Sequence, residues 1–167
     1  DKKVRRALTM LVDRPQIIQT LRFGLAKIAT SHFNPGTSAF NSNIHAVPYD
    51  PKGAAQLLDE AGWIDHNGDG IRDKDGVPFR FEMLGSSGST FTEQLLPILK
   101  EEFRKAGIDM TERRIEFTVF IGSMKDHRYD ASASAWAADL VQDPYQVWHS
   151  SSIENRGSNY ISFRNAE

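Results

Sequence analysis

Between Phe79 and Trp136 the sequence alternates between strand-like and helix-like patterning, and this alternation restricts the fold more than any other feature. Phe79, Phe81 and Met83 alternate with Arg80 and Glu82, the pattern of a half-buried strand. Thr90 with Glu93 then forms a capping box. The helix it opens has Phe91, Leu95, Ile98 or Leu99, and Phe103 as its inward face. Pro97 removes a backbone donor within that helix and predicts a kink or a late start. Gly107 closes the helix and Ile108 packs after it, as in a Schellman end. A second strand follows over roughly Met110–Phe117, heavily charged and therefore placed near an edge. A short helix around Phe120, Ile121 and Met124 leads to a third strand, Tyr129–Trp136. Strand, helix, strand, helix, strand at these spacings implies parallel pairing with right-handed crossovers. The expected fold class is α/β, a mixed or parallel sheet flanked by helices.

The first part of the chain adds helices in front of this unit. Val4, Leu8 and Leu11 share a helical face. Asp13 reads as the N-cap of a second helix with Pro15 in its first turn, and Gly24 as its stop. From Ser31 to Tyr49 periodicity is lost, and Pro35, Gly36 and Pro48 mark a long irregular loop, a kind that is often functional. Asp50-Pro51 starts a third helix with Ala54, Leu57, Leu58 and Ala61 on its apolar face. Gly62 ends it, and Trp63 is expected to fold back onto it.

A length of 167 residues suits one domain with a core of its own. With 20 basic and 22 acidic residues and no basic stripe, nucleic acid is not an expected partner. No apolar run approaches the ~20 residues of a membrane helix. The chain opens on Asp1 inside a predicted helix and stops at Glu167 without tail character, so residues 1–167 read as a piece of a larger protein.

Three groups of residues are candidates for chemistry. The loop Asp65–Gly76 spaces Asp65, Asn67, Asp69 and Asp73 like the first oxygen ligands of a calcium loop. Its twelfth position is Gly76 rather than a bidentate acid. The favoured reading is a tight loop in which these side chains satisfy backbone donors; a metal is not favoured, and no cofactor is expected. Asp139, His149 and one of Ser150, Ser151 or Ser152 offer the functional groups of a hydrolase. No G-x-S-x-G elbow accompanies them, so an enzyme is not expected. Finally, Trp136 and Asp139 follow a run of small residues, Ala131–Ala135, where open α/β sheets bind ligands, outside the carboxyl ends of the strands. Residues alone leave open whether that pair serves a site or packs and caps.

Four segments in order carry a family resemblance: VRRALTMLVDRPQII (4–18), YDPKGAAQLLDEAGWIDHNGDGIRDKDG (49–76), YDASASAWAAD (129–139) with Asp143-Pro144 shortly after, and GSNYISFRNAE (157–167). Together they resemble the oligopeptide- and dipeptide-binding class of ABC-transporter solute-binding proteins. The resemblance implies one α/β lobe of a two-lobed, periplasmic-binding-protein-like fold, with the first lobe and the final return segment absent. It implies a location in the periplasm, or lipid-anchored outside the cytoplasmic membrane, and delivery of ligand to an ABC permease. It assigns Asp139, in the W-x-x-D pattern, to the free α-amine of a peptide and Trp136 to the pocket wall. Asp139 is then expected to be partly exposed on the face the missing lobe covers. A peptide or another amine-bearing solute is the implied ligand. The alternatives are nickel complexes, sugars or opine-like solutes on the same fold and, from another class, a calcium-dependent structural module. The Asp65–Gly76 loop also belongs to the family pattern, which favours its structural reading.

Overall fold

The computed structural model describes residues 1–137, 143–154 and 156–165. Its centre is a three-stranded parallel sheet of β3 (Arg80–Ser86), β4 (Asp109–Ile115) and β5 (Ala131–Ala133), in the order β4-β3-β5. A small antiparallel pair, β1 (Asp73–Lys74) and β2 (Val77–Pro78), precedes it. The α/β fold and the parallel pairing agree with the sequence reading.

Successive side chains of a strand point to opposite faces, and β3 divides the core accordingly. Met83 and, partly, Phe81 enter a cluster with Leu96, Leu99 and Phe103 of helix α4 (Thr90–Lys105). Ala7 of α1 (Lys2–Met10), Ile17 of α2 (Arg14–Arg22) and Leu58 of α3 (Pro51–Glu60) complete that layer. Leu84 faces the other way, onto Phe120 and Met124 of α5 (Phe117–Lys125). Gly85 lies under α4, where a Cβ would come within 2.7 Å of Thr92 Cγ2. Glycine there lets the helix approach the sheet closely.

Helix ends follow the local chemistry. Asp13 and Asp50 cap α2 and α3 through their carboxylates, each with a proline in the first turn. α3 and α4 both end in Schellman bonds, Trp63 N to Leu58 O at 2.9 Å and Ile108 N to Phe103 O at 2.9 Å. Trp63 then packs on Phe79, the rings tilted by 35° with centroids 4.4 Å apart.

Three expectations change in detail. The cap of α4 is Ser89, whose hydroxyl accepts from Thr92 N, one residue earlier than Thr90, and Glu93 accepts from Gly88 N, the residue before the cap, so the reciprocal box does not form. Pro97 does not delay α4. It and Glu93, the residue four before it, are both exposed, so the carbonyl left without a donor lies on the solvent side. The third strand is also shorter than Tyr129–Trp136. Below Ala131, Asp130 Oδ2 takes the amide of Glu82 at 3.0 Å, so a side chain replaces the ladder partner. Beyond Ala133 the chain leaves the sheet and Trp136 packs on Tyr160 instead.

Candidate ligand-binding cleft

The carboxyl ends of β3 and β5 open onto a cleft of about 600 Å³. Its floor is Ser86 from β3 and the small residues Ser132–Ala135 at and after the end of β5. Ser89, Phe91, Thr92 and Leu95 of the first turns of α4 form one wall. Phe117, Phe120 and Ile121 of α5 form another. Trp136 and Tyr160 close the side, their rings nearly parallel at 19° with centroids 5.7 Å apart. Trp136 remains 47% exposed, so one face of its ring is open to a ligand. Small strand residues are what make this depression: larger side chains on residues 132–135 would fill it.

The cleft explains a discrepancy on α4. The expected inward face contained Phe91 and Leu95, and both do pack, partly buried, against the core cluster, while the fully buried stripe is Thr92, Leu96, Leu99 and Phe103. Phe91 and Leu95 form the neighbouring stripe, which borders the core on one side and the cleft on the other. Helical periodicity alone cannot separate a core stripe from a pocket wall.

Among the described lining residues, Arg22 is the one charged group. Its guanidinium lies 4.0 Å over the Phe91 ring, a cation–π contact that holds it at the cleft's mouth. No carboxylate or imidazole lines the cleft among the described residues. Sequence reasoning missed Arg22 and Phe117, and it reached Tyr160 only as part of a motif.

The Tyr160 ring is set by its own backbone. Its carbonyl accepts from the Tyr129 hydroxyl and lies 2.9 Å from His127 Nδ1. Burial, and then the nearby Tyr160, push the Tyr129 phenol above its usual pKa, so it stays protonated as a donor. Next to Tyr160, the fully buried Asn159 donates from Nδ2 to the carbonyls of Trp148, His149 and Phe163 and accepts from Phe163 N at 2.9 Å.

Asp139 falls outside the described residues. Of the hydrolase candidates, His149 Nδ1 lies 2.8 Å from Ser151 Oγ and 3.2 Å from the amide of Ser151, while its ring stacks on Tyr145 of α6 (Tyr145–Trp148). That is a side-chain cap on the short 3-10 helix Ser150–Ser152.

The Asp65–Gly76 loop spends its oxygens on its own backbone. Asp65 accepts from Gly68 N at 2.8 Å and Gly70 N at 2.9 Å, Asp69 from Ile71 N at 2.8 Å, and Asn67 from Asp69 N at 3.0 Å. Asp73 takes the amide of His66 at 3.0 Å and its ring Nδ1 at 2.9 Å. Asp75 and Gly76, both at positive φ, make the two-residue turn between β1 and β2. Chelator treatment is therefore expected to leave the melting temperature unchanged. A calcium-dependent rise of several degrees would assign the loop to an ion instead, since binding only the folded state stabilises it.

A second cavity of about 580 Å³ lies at the other end of α4, beside Lys105–Gly107. Most of its charges are paired with each other, Arg72 with Asp59 at 2.5 Å and Glu102 with Lys105 at 2.7 Å and with the Tyr49 hydroxyl at 2.5 Å, while Asp65 accepts from the amides of Gly68 and Gly70.

An apolar cleft at the carboxyl ends of a parallel sheet, with one wall open, makes this α/β unit a candidate for holding a ligand. Comparison with known proteins places it. The family described as bacterial extracellular solute-binding proteins, family 5, middle, matches residues 1–158, and the chain belongs to that family. The oligopeptide-binding protein AppA of Bacillus subtilis (strain 168) is 36% identical over 172 residues, a match covering all of this chain and 31% of that protein. The nickel-binding periplasmic protein of Escherichia coli (strain K12) is 28% identical over 126 residues, 75% of this chain and 24% of that one. Among solved structures, AppA from Bacillus subtilis in complex with a nonapeptide superposes with a TM-score of 0.88 at 32% identity, covering 99% of this chain and 34% of that one. NikZ from Campylobacter jejuni in complex with Ni(L-His) gives 0.85 at 30%, covering 99% and 34%. The chain thus spans about a third of the length of these relatives.

Proposed function

We propose that residues 1–167 are the ligand-binding lobe of an ABC-transporter solute-binding protein for peptide uptake. In this reading a first lobe, not part of this chain, closes over the strand-end cleft, and the protein works outside the cytoplasmic membrane, in the periplasm or lipid-anchored, delivering peptide to a permease. The supporting observation is the cleft itself: large, apolar, walled by aromatic residues, and carrying Trp136 at its open side. Pockets that hold small ligands combine such walls with a few polar groups that fix orientation. Asp139 is proposed to pair with the peptide's α-amine, three residues after Trp136, and Trp136 to line the pocket. Arg22 is suited to a carboxylate of the same ligand, as the one charged side chain lining the cleft among the described residues. Nickel complexes and sugars remain the alternatives within the family. Peptide is placed first because the more similar relative is described as an oligopeptide-binding protein, 36% identical against 28% for the nickel-binding one.

Mass spectrometry of ligands retained by the two-lobed protein is the direct test; peptides support the reading, and a nickel complex or oligosaccharide would replace it. Calorimetry adds a second expectation. The isolated chain should bind peptides more weakly than micromolar, because an ion pair left in water contributes only about 0–1 kcal/mol and closure supplies the low dielectric. Micromolar or tighter binding by residues 1–167 alone would overturn the two-lobe mechanism.

A further inference from the structure

We infer that Tyr129 and Asn159 are positioning residues whose hydrogen bonds hold the Tyr160 ring as a backing plate, so that Trp136 is already oriented before ligand arrives. Trp136 has no regular secondary structure to fix it; the sheet ends at Ala133. Its orientation therefore depends on what its ring packs against, and that is Tyr160, 5.7 Å away and 19° from parallel. Tyr160 is fixed in turn from two sides. Its carbonyl takes the hydroxyl of Tyr129, a residue packed against Leu84, Phe120 and Met124 under the sheet. Its neighbour Asn159 is 0% exposed and bonds three carbonyls and one amide, which staples residues 159–163 to the end of α6. A buried amide whose two N–H groups are shared among three carbonyls and whose oxygen takes an amide favours one arrangement of the segments it joins. Gly157 permits the approach: a Cβ there would lie 2.2 Å from Ser152 O, a backbone atom. The chain of contacts runs from the sheet, through Tyr129, to the Tyr160 backbone, to its ring, and to Trp136.

Fixing a side chain before binding removes an ordering cost from the binding step. The consequence for affinity rests on the function proposed above; the packing does not. The experiment uses Trp63→Phe/Trp148→Phe protein, in which Trp136 is the last of the chain's three tryptophans. Time-resolved fluorescence anisotropy then reports its local motion without ligand. Tyr160→Ala and Tyr129→Phe are expected to lower the residual anisotropy, and Tyr160→Phe, which keeps the ring, to match the parent. Tyr129→Phe deletes only a hydroxyl and keeps the test valid even where Asn159→Ala fails to fold. In the two-lobed protein, Tyr129→Phe should weaken peptide binding roughly two- to tenfold, the worth of one side chain's freedom. Unchanged anisotropy in Tyr160→Ala or in Tyr129→Phe overturns the inference, and so does a loosened Trp136 with unchanged affinity. A wild type that binds no peptide refutes the proposed function instead, and the anisotropy still decides the positioning.

Discussion

Replacing Asp139 with Ala in the two-lobed protein is expected to weaken peptide binding by about 2–5 kcal/mol, the cost of truncating one partner of a buried charge pair. That is roughly thirtyfold to a few thousandfold in Kd. The physical reason lies in closure. A peptide ammonium enclosed between lobes loses its water, and a desolvated charge is tolerated only when it is paired and hydrogen-bonded. The described walls of the cleft offer hydroxyls and carbon but no carboxylate, so the counter-charge must come from elsewhere, and Asp139 is the residue proposed for it. N-acetylation of the peptide removes the same interaction from the other side. The two changes should therefore not add: acetylated peptide should bind wild type weakly, and Asp139→Ala should lose little further on acetylation. Full additivity would show that Asp139 and the amine act independently. Unchanged affinity in both experiments would remove the role altogether.

The sequence made the frame legible because each element carried its own punctuation. Asp13, Asp50, Gly62 and Gly107 mark helix ends through side-chain or backbone chemistry that is local, and local chemistry survives in one dimension. The strands at 80–86 and 109–115 were readable for the same reason, one through alternation and the other through its charged edge. The site was less legible because it is an emergent surface. Arg22 belongs to the last turn of a front helix and meets Phe91 only through packing of α2 on α4. Phe91 and Leu95 have the spacing of core residues, and nothing local distinguishes a stripe that faces protein from one that faces a cleft. The start of β5 depended on a contact across 48 residues, between Asp130 and the amide of Glu82, which no window of the sequence contains. Tyr160 was within reach of sequence reasoning, since it sits in the last family-like segment, but its stacking on Trp136 is a tertiary fact.

Phe120→Ala is expected to lower the stability of the fold by about 3–5 kcal/mol. Phe120 is 2% exposed and, with Leu84 and Met124, makes up the buried set of the smaller core cluster among the described residues. α5 meets the sheet through that ring together with Met124 and Ile121, so its loss removes both transfer energy and part of the contacts that dock the helix. Phe120 also borders the cleft, which decides where in the range the value falls. A cavity sealed inside a core stays empty and carries its full penalty. One that opens toward a cleft can admit water or be partly filled by Phe117 and Ile121, so the lower half of the range is expected. Phe117 gives the control, because it lies on the same helix and lines the same cleft but is 61% exposed. Its replacement by Ala should stay within about 0.5 kcal/mol of wild type, as surface changes do. Urea unfolding measures both, and a shift of midpoint at constant m-value assigns the change to the folded state. With total stabilities of about 5–15 kcal/mol for a domain, the Phe120 variant loses a substantial share and should bind ligand less well simply because less of it is folded. Excess peptide recovers that loss by mass action, whereas it does not restore a missing contact. A cost below about 1 kcal/mol for Phe120→Ala would mean that α5 is anchored by something other than this cluster, and the wall it contributes to the cleft would then need another support.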